Sequence, residues 1–482
     1  MTSQNTFHDS EPFTCKRSDN VFAAIEKCLD NGLGACFIVG EDRSLVGRVT
    51  LDDIRSGILD GHVLDDTSLE RYIDRGNGNG AKNGGPPRNE PAIGEGPLTP
   101  VVDYRGCLID VAVDRTKQFV QVAKPNLSHH EFRTMLDAFI SSWISSKGPY
   151  VGQLETEFAA YIGARHGAAV TNGTVALHLA LLALGIGEND DVIVPDLTFA
   201  ATINVVLACG ATPIIADIDP HTWTLTREQV ERVMTPRTRA IIPVHLYGRP
   251  AEMEPIVELA RERGCFVVED CAEAHGARYA GRTVGQFGDV SCFSFYANKI
   301  VTTGEGGICV TSSPQLNDAI RQLRDHGVTP GTSYWHERVG YNYRMTNLQA
   351  AIGCSQLWRI DEALERNQRI QSMYRNRLAD IRGVTFPPTL PSIYEPVVWL
   401  ACVLVPAEAR ARLIEQARRA DIEMRPFFYP LSALPAYERY ARPCPNSAAL
   451  SRTGINLPTS SAVDEKVADK IRGIFLEALD QR

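Results

Sequence analysis

The chain has 482 residues, 44% hydrophobic and 22% charged, with a formal net charge of −9. That length exceeds what one core usually holds, so two or three soluble domains are expected. The acidic balance argues against a nucleic-acid surface, and no run of about 18 apolar residues is present to cross a membrane.

The opening MTSQNTFHDSEPF has no basic stretch followed by an apolar one, so no secretory signal is expected. The twelve cysteines are scattered without a C-x-x-C pair. In a chain this large, that predicts reduced thiols and a cytoplasmic protein. Cys271 and Cys292 lie inside apolar runs and are expected in the core.

In chain order, VFAAIEKCLDNGLG (Val21–Gly34) has helical apolar spacing and a closing glycine. ACFIVGEDRSLVGRV (Ala35–Val49) reads as strand, turn, strand, and TLDDIRSGI starts a second helix with Thr50 at its cap. The segment GNGNGAKNGGPPRNEPAIGEGP (76–97) is too rich in glycine, asparagine and proline to bury a core and is expected to be a loop or linker. After it, TPVVDYRGCLIDVAV (Thr99–Val113) repeats the strand–turn–strand pattern. This paired β–turn–β–helix arrangement, spanning 1–118, resembles a CBS-type module. In that family a T-x-x-D signature contacts the ribose and phosphate of a nucleotide, and Thr50 and Asp53 match it. The resemblance implies an adenine or other nucleotide as the module's ligand; a plain helix cap is the other reading of the pair. The second copy has Val113 and Thr116 at the corresponding places, so that half-site is lost.

From residue 119 to 383 the texture changes. DVIVPD, ATPIIADI, RAIIPVHLYG, CFVVED, SCFSFY and GICVT alternate with helical segments, the signature of a mostly parallel, buried sheet. The remainder, 384–482, reads as a smaller α+β subdomain. In it VVWLACVLV is a strand and PAEARARLIEQARRADI a helix entered through proline.

Three stretches carry chemistry. In TNGTVALHLALLALGIG (Thr171–Gly187) a glycine turn opens an apolar helix, and such an N-terminus suits a phosphate. CFVVEDCAEAHGA (Cys265–Ala277) brings Glu269 and Asp270 to the carboxyl end of a buried strand, where α/β ligands bind. A carboxylate there serves a metal, a helix cap or a cation, and the residues alone leave the three open. SFYANKIVTTGEGG (Ser294–Gly307) sets Lys299 after a buried strand, where desolvation turns a lysine into a Schiff-base former. Glycine turn, aspartate and lysine, in that order, meet the needs of pyridoxal 5′-phosphate: a phosphate cradle, a partner for the ring nitrogen and an amine for the aldehyde.

KIVTTGEGG, EDCAEAHGA, IPVHLYG and VGYNYRMTNLQAAIG resemble the DegT/StrS family of sugar aminotransferases. The resemblance implies a fold type I aminotransferase: a mostly parallel seven-stranded sheet with helices on both faces and a small C-terminal subdomain. It implies that Lys299 carries the cofactor and that Asp270 pairs with its ring nitrogen. Glu273 is then expected near the ring oxygen, Phe199 stacked on the ring, and Gly173, Thr174 and Ser294 on the phosphate. Asn342 is expected to reach the phosphate of a neighbouring subunit, which implies a homodimer with shared sites. No metal is part of this expectation.

By the same resemblance, L-glutamate donates an amino group to the 4-keto carbon of a nucleotide-linked 4-keto-6-deoxy sugar, for surface polysaccharide. A GDP-linked sugar is the first choice, with UDP- or dTDP-linked ones as alternatives. Ser145, Ser146 and Lys147 in SWISSKGPYVGQLE are the candidates to meet the diphosphate. His245, His326, Arg425 and Tyr429 complete the candidate substrate contacts. Relatives acting on the GDP sugar often carry histidines where this chain has Tyr429 and Ser432. A reading of another class makes the N-terminal module a nucleotide sensor or docking element.

Overall fold

The computed structural model describes residues 5–7, 11–59, 69, 98–102, 105, 107–113, 119–329 and 331–480. The glycine-rich segment 76–97 and Thr116 lie outside the described residues. The chain forms two compact units. One holds Met1–Val120, Asn126–Arg133 and Ser461–Val467; the other holds Gln121–Pro125, Thr134–Ser460 and Ala468–Arg482. The spans 119–383 and 384–482 thus fall largely within the second.

That larger unit is built on seven strands: β1 (His166–Val170), β2 (Asp191–Pro195), β3 (Thr212–Ala216), β4 (Thr238–Ile241), β5 (Phe266–Asp270), β6 (Val290–Ser294) and β7 (Gly307–Thr311). They pair in the order β3-β2-β4-β5-β6-β7-β1. The pairs from β3 through β6 are parallel, and β7 runs antiparallel to both β6 and β1. Successive residues of a strand face opposite sides of the sheet. Val192 and Val194 accordingly join one apolar cluster and Ile193 another. Two buried faces explain why these strands read as continuous apolar runs.

The helix Gly173–Ala183 comes directly after β1, with Asn172 as cap: its side chain accepts the Val175 N–H at 3.0 Å. Ala176 to Leu181 are all buried, as a helix apolar all round requires. In the C-terminal part, Ala401–Leu404, Gly454–Leu457 and Arg425–Pro426 form a small sheet, and the helix Ala407–Arg419 leaves Pro406. The strand is shorter than VVWLACVLV. Trp399 and Leu400 are buried but precede the ladder.

The smaller unit holds the helices Val21–Asp30 and Leu51–Leu59 and two three-stranded sheets. In one sheet Ala35–Val39 pairs with Leu45–Thr50 and, in parallel, with Thr14–Lys16. In the other Leu108–Val113 pairs with Leu98–Val102 and with Asn5–Phe7. The extra strands at the N-terminus are too short to leave a periodic signal. Thr50 and Asp53 cap their helix reciprocally: Thr50 N–H and Oγ1–H donate to Asp53 Oδ2 at 2.9 and 2.7 Å, and the Asp53 N–H donates back to Thr50 Oγ1 at 3.0 Å.

Candidate active site

Strands β1, β2, β4, β5 and β6 run in one direction, so the segments leaving their carboxyl ends gather at one edge of the sheet. Gly173 comes after β1, Phe199 and Thr202 after β2, and His245 and Tyr247 after β4. Asp270 ends β5, and Ser294 and Lys299 come from the end of β6 and the turn beyond it.

Lys299 Nζ stands 3.7 Å from Glu273 Oε1 and 3.7 Å from the centre of the Trp399 ring. Burial lowers its proton affinity, and the carboxylates of Glu273 and Asp270 oppose that shift. Glu273 is 4% exposed, and burial pushes its carboxyl up to about 7 although Lys299 and the Tyr247 N–H pull the other way. Asp270 is raised by burial, against hydrogen bonds from Thr202 Oγ1 (2.8 Å) and the Ala272 N–H (3.2 Å). Two buried carboxylates facing one buried amine form a site suited to a cationic ring and a reactive carbonyl.

Gly173 and Ser294 touch. A Cβ at Gly173 would lie 2.8 Å from Ser294 Cβ, so the helix start and the strand end form one floor. The helix N-terminus there, with Thr174 exposed beside it, presents N–H groups to an anion. Phe199, 60% exposed, stands near Phe428 with ring centres 5.9 Å apart.

Residues 125–475 match the DegT/DnrJ/EryC1/StrS aminotransferase family, and residues 6–60 match the CBS domain. The chain belongs to the DegT/DnrJ/EryC1/StrS aminotransferase family. It is 42% identical over 366 residues to a GDP-perosamine synthase of Caulobacter vibrioides, covering 75% of this chain and 98% of that one. It is 43% identical over 343 residues to a GDP-perosamine synthase of Escherichia coli O157:H7, covering 71% and 93%. Among solved structures, the aminotransferase TlmJ from Streptoalloteichus hindustanus superimposes with a TM-score of 0.71 at 28% identity, covering 75% of this chain and 99% of that one.

This DegT/DnrJ/EryC1/StrS aminotransferase is therefore a pyridoxal-phosphate enzyme. Its residues fit the cofactor. A Cβ at Gly173 would press on Ser294, Asp270 is a buried carboxylate with no cation bonded to it among the described residues, and Lys299 is a buried amine.

The structure does not gather every candidate at that floor. His245, expected among the substrate contacts, has no exposed surface. Its Nδ1 accepts the Ala251 N–H at 3.0 Å and its Nε2 donates to Glu269 at 3.2 Å. The ring therefore serves Glu269, whose oxygens also accept from the Gly285, Phe287 and Gly288 N–H groups and Ser291 Oγ. His245, Glu269 and Cys271 place donor atoms within 4.8 Å of one another, but those bonds already fill the carboxylate. His326 is exposed with φ of 59°, and its Nε2 lies 3.4 Å from Arg344. Asn342 is exposed, and its Oδ1 accepts from Arg344 Nε at 3.2 Å. Arg425 is bound to Glu423 at 2.7 Å, and Tyr429 is 58% exposed. Ser432 is held by Asp196 through its N–H and hydroxyl at 2.7 and 3.1 Å.

Ser146 and Lys147 line a cavity of about 190 Å³ with Arg321, Arg324 and Arg344, while the Ser145 carbonyl accepts the Asn347 N–H at 2.8 Å. Arg321 and Arg324 are both paired with the buried Glu155.

Thr202, Tyr247 and Trp399 complete the site and carried no signal of their own. Thr202 lies three residues after Phe199, within reach of helical spacing. Nothing local marks Trp399, which arrives from the C-terminal part of the fold.

Proposed function

We propose that the protein transfers the amino group of L-glutamate to the 4-keto carbon of GDP-4-keto-6-deoxymannose, giving GDP-perosamine for a surface polysaccharide. The observation that carries this reading is the 42% and 43% identity to two GDP-perosamine synthases over 98% and 93% of their lengths. The presence of Lys299 in the assembled site agrees with amino transfer.

Pyridoxal phosphate, when bound, supplies an aldehyde that captures the amine and a ring that withdraws the electron pair. The chain does the rest. The N–H groups of the helix start at Gly173 and the Ser294 hydroxyl would bind the phosphate, and Phe199 would cover the ring. Asp270 would hold a proton on the ring nitrogen, aided by Thr202, whose hydrogen bond favours the charged carboxylate. Lys299 Nζ takes the proton from the donor's α-carbon and in the second half-reaction returns one to C4 of the sugar.

Ser145, Ser146 and Lys147 would meet the diphosphate, with His326, Arg425 and Tyr429 around the sugar or base. Asn342 would serve the phosphate of a second copy, in a cytoplasmic homodimer. A three-part division, 1–118, 119–383 and 384–482, suits these roles. The CBS match at 6–60 supports a regulatory or docking role for the N-terminal part, with Thr50 and Asp53 as the place for a nucleotide.

Steady-state kcat/KM with GDP-, UDP- and dTDP-linked 4-keto-6-deoxy sugars tests the acceptor. A preference for the GDP sugar is expected; a UDP or dTDP sugar used as well or better overturns the assignment. The alternative of a UDP- or dTDP-linked acceptor draws on Tyr429 and Ser432, since Ser432 is spent on Asp196. Parallel assays with L-glutamate and other amino acids test the donor.

A further inference from the structure

Glu273 sits differently from its neighbour Asp270. Both Asp270 oxygens receive hydrogen bonds, from Thr202 and Ala272. One Glu273 oxygen, Oε2, accepts the Tyr247 N–H at 2.9 Å, while Oε1 points to Lys299 Nζ at 3.7 Å. Tyr247 makes that bond from an unusual backbone: φ is 52° and ψ 29°, in the left-handed region, for a fully enclosed aromatic residue. Such strain persists only where the surroundings over-determine it, and it clusters at functional sites. Here the phenol oxygen is locked by the Phe428 N–H at 3.0 Å, and the ring stacks on Trp399 and Phe428. The turn is thus held from both ends, and what it presents to the site is one N–H, fixed on Glu273.

We propose that Glu273 is the proton acceptor for Lys299, taking the ammonium proton on Oε1 so that the amine enters the reaction neutral. An N–H bond of Nζ breaks, the electron pair stays on nitrogen, and an O–H bond forms on Oε1; nothing is oxidised or reduced. The separation is longer than a formed hydrogen bond, as is common before substrates tighten a site. The other groups facing Glu273 do not compete for the proton. Asp270 is committed to Thr202 and Ala272, and the Tyr247 phenol and the Cys402 thiol are both pushed well up by burial and stay neutral. Burial raises Glu273 and lowers Lys299, which brings their proton affinities together.

The inference rests on Lys299 being the reacting amine, and two measurements separate it from the assignment of the sugar. The first uses the full-length protein freed of cofactor. Acetylation of Lys299 is followed against pH by peptide mass spectrometry in the wild type and in Glu273→Gln. The half-labelling pH is expected to fall by at least one pH unit in the variant, because the ammonium loses its counter-charge; coincident curves overturn the pairing. The second uses the holoenzyme with L-glutamate alone, so no sugar is needed. The wild-type half-reaction should show an acid limb near pH 7, and Glu273→Gln should lose that limb and about 100-fold in rate, the usual scale for a positioned base. Retention of the limb with a rate within threefold overturns the role. Glu273→Asp guards against a misfolded glutamine variant: it should keep a displaced acid limb and recover part of the rate. An aspartate variant with no limb and no recovery also counts against the proposal.

Discussion

The Trp399 ring lies 3.7 Å from Lys299 Nζ, and its Nε1–H donates to the carbonyl of Asn298, the residue before that lysine, at 2.7 Å. The indole therefore contacts both the Lys299 side chain and the backbone just before it. A desolvated cation–π contact contributes about 2 kcal/mol. Trp399→Leu is expected to lower kcat roughly 10- to 30-fold, the equivalent of about 1.5–2 kcal/mol. Trp399→Phe keeps a ring and should recover most of it. Steady-state kinetics at saturating substrates read both; a leucine variant within twofold of wild type would remove Trp399 from the account.

Thr202 donates to Asp270 at 2.8 Å inside a buried setting. A hydrogen bond to a charged group contributes about 1.5–3 kcal/mol. Without it, only the Ala272 N–H and the nearby charges oppose burial, so the proton affinity of Asp270 rises further and leaves less negative charge for the ring nitrogen. Thr202→Val should lower kcat about 10- to 100-fold, and Asp270→Asn should exceed that. A valine variant with unchanged kcat and unchanged cofactor dissociation constant would count against this bond.

That Lys299 and Asp270 come close together was legible from sequence, because Asp270 ends one apolar run and Lys299 follows another, both read as buried strands. Glycine turn, acid and lysine then come in an order set by the sheet. Thr202, Tyr247 and Trp399 were not legible. Their roles come from contacts between segments far apart in the chain, and from a backbone conformation at Tyr247 that side-chain type does not announce. His245 misled for a related reason: its neighbours IPV and LYG mark a strand end near the site, but only the fold shows its ring turned to Glu269. The short strands Asn5–Phe7 and Thr14–Lys16 escaped because three residues are too few to show a period.

Gly173 has no room for a side chain. A Cβ would lie 2.8 Å from Ser294 Cβ and 3.2 Å from Ser294 Cα. Relief requires the helix start or the end of β6 to move, and both belong to the floor proposed to hold the cofactor phosphate. Overpacking of this kind costs about 1–3 kcal/mol. Gly173→Ala should raise the dissociation constant of pyridoxal phosphate about 10- to 100-fold, measured by fluorescence titration of the cofactor-free protein. Unaltered affinity would show that the floor yields without loss.

His275 makes stability depend on pH. Its ring is fully buried between Phe158, Phe293 and Phe295, and among the described residues neither ring nitrogen has a partner at full hydrogen-bond geometry. Burial, reinforced by the nearby Lys299 charge and only partly countered by the Ser294 backbone, lowers its proton affinity to about 3 from 6.5. The unfolded chain therefore binds a proton that the folded chain refuses. The stability held by a neutral His275 is complete above pH 6.5 and is lost as pH falls from there towards 3, by up to about 1.4 kcal/mol per pH unit. Between pH 7 and 4.5 the loss from this residue comes to about 2–3 kcal/mol. His275→Leu replaces an unsatisfied ring with an apolar side chain that cannot titrate. Urea unfolding of the full-length protein at several pH values should show the variant losing that much less stability than wild type over the interval. If the two decline in parallel, the ring is not held neutral in the folded protein.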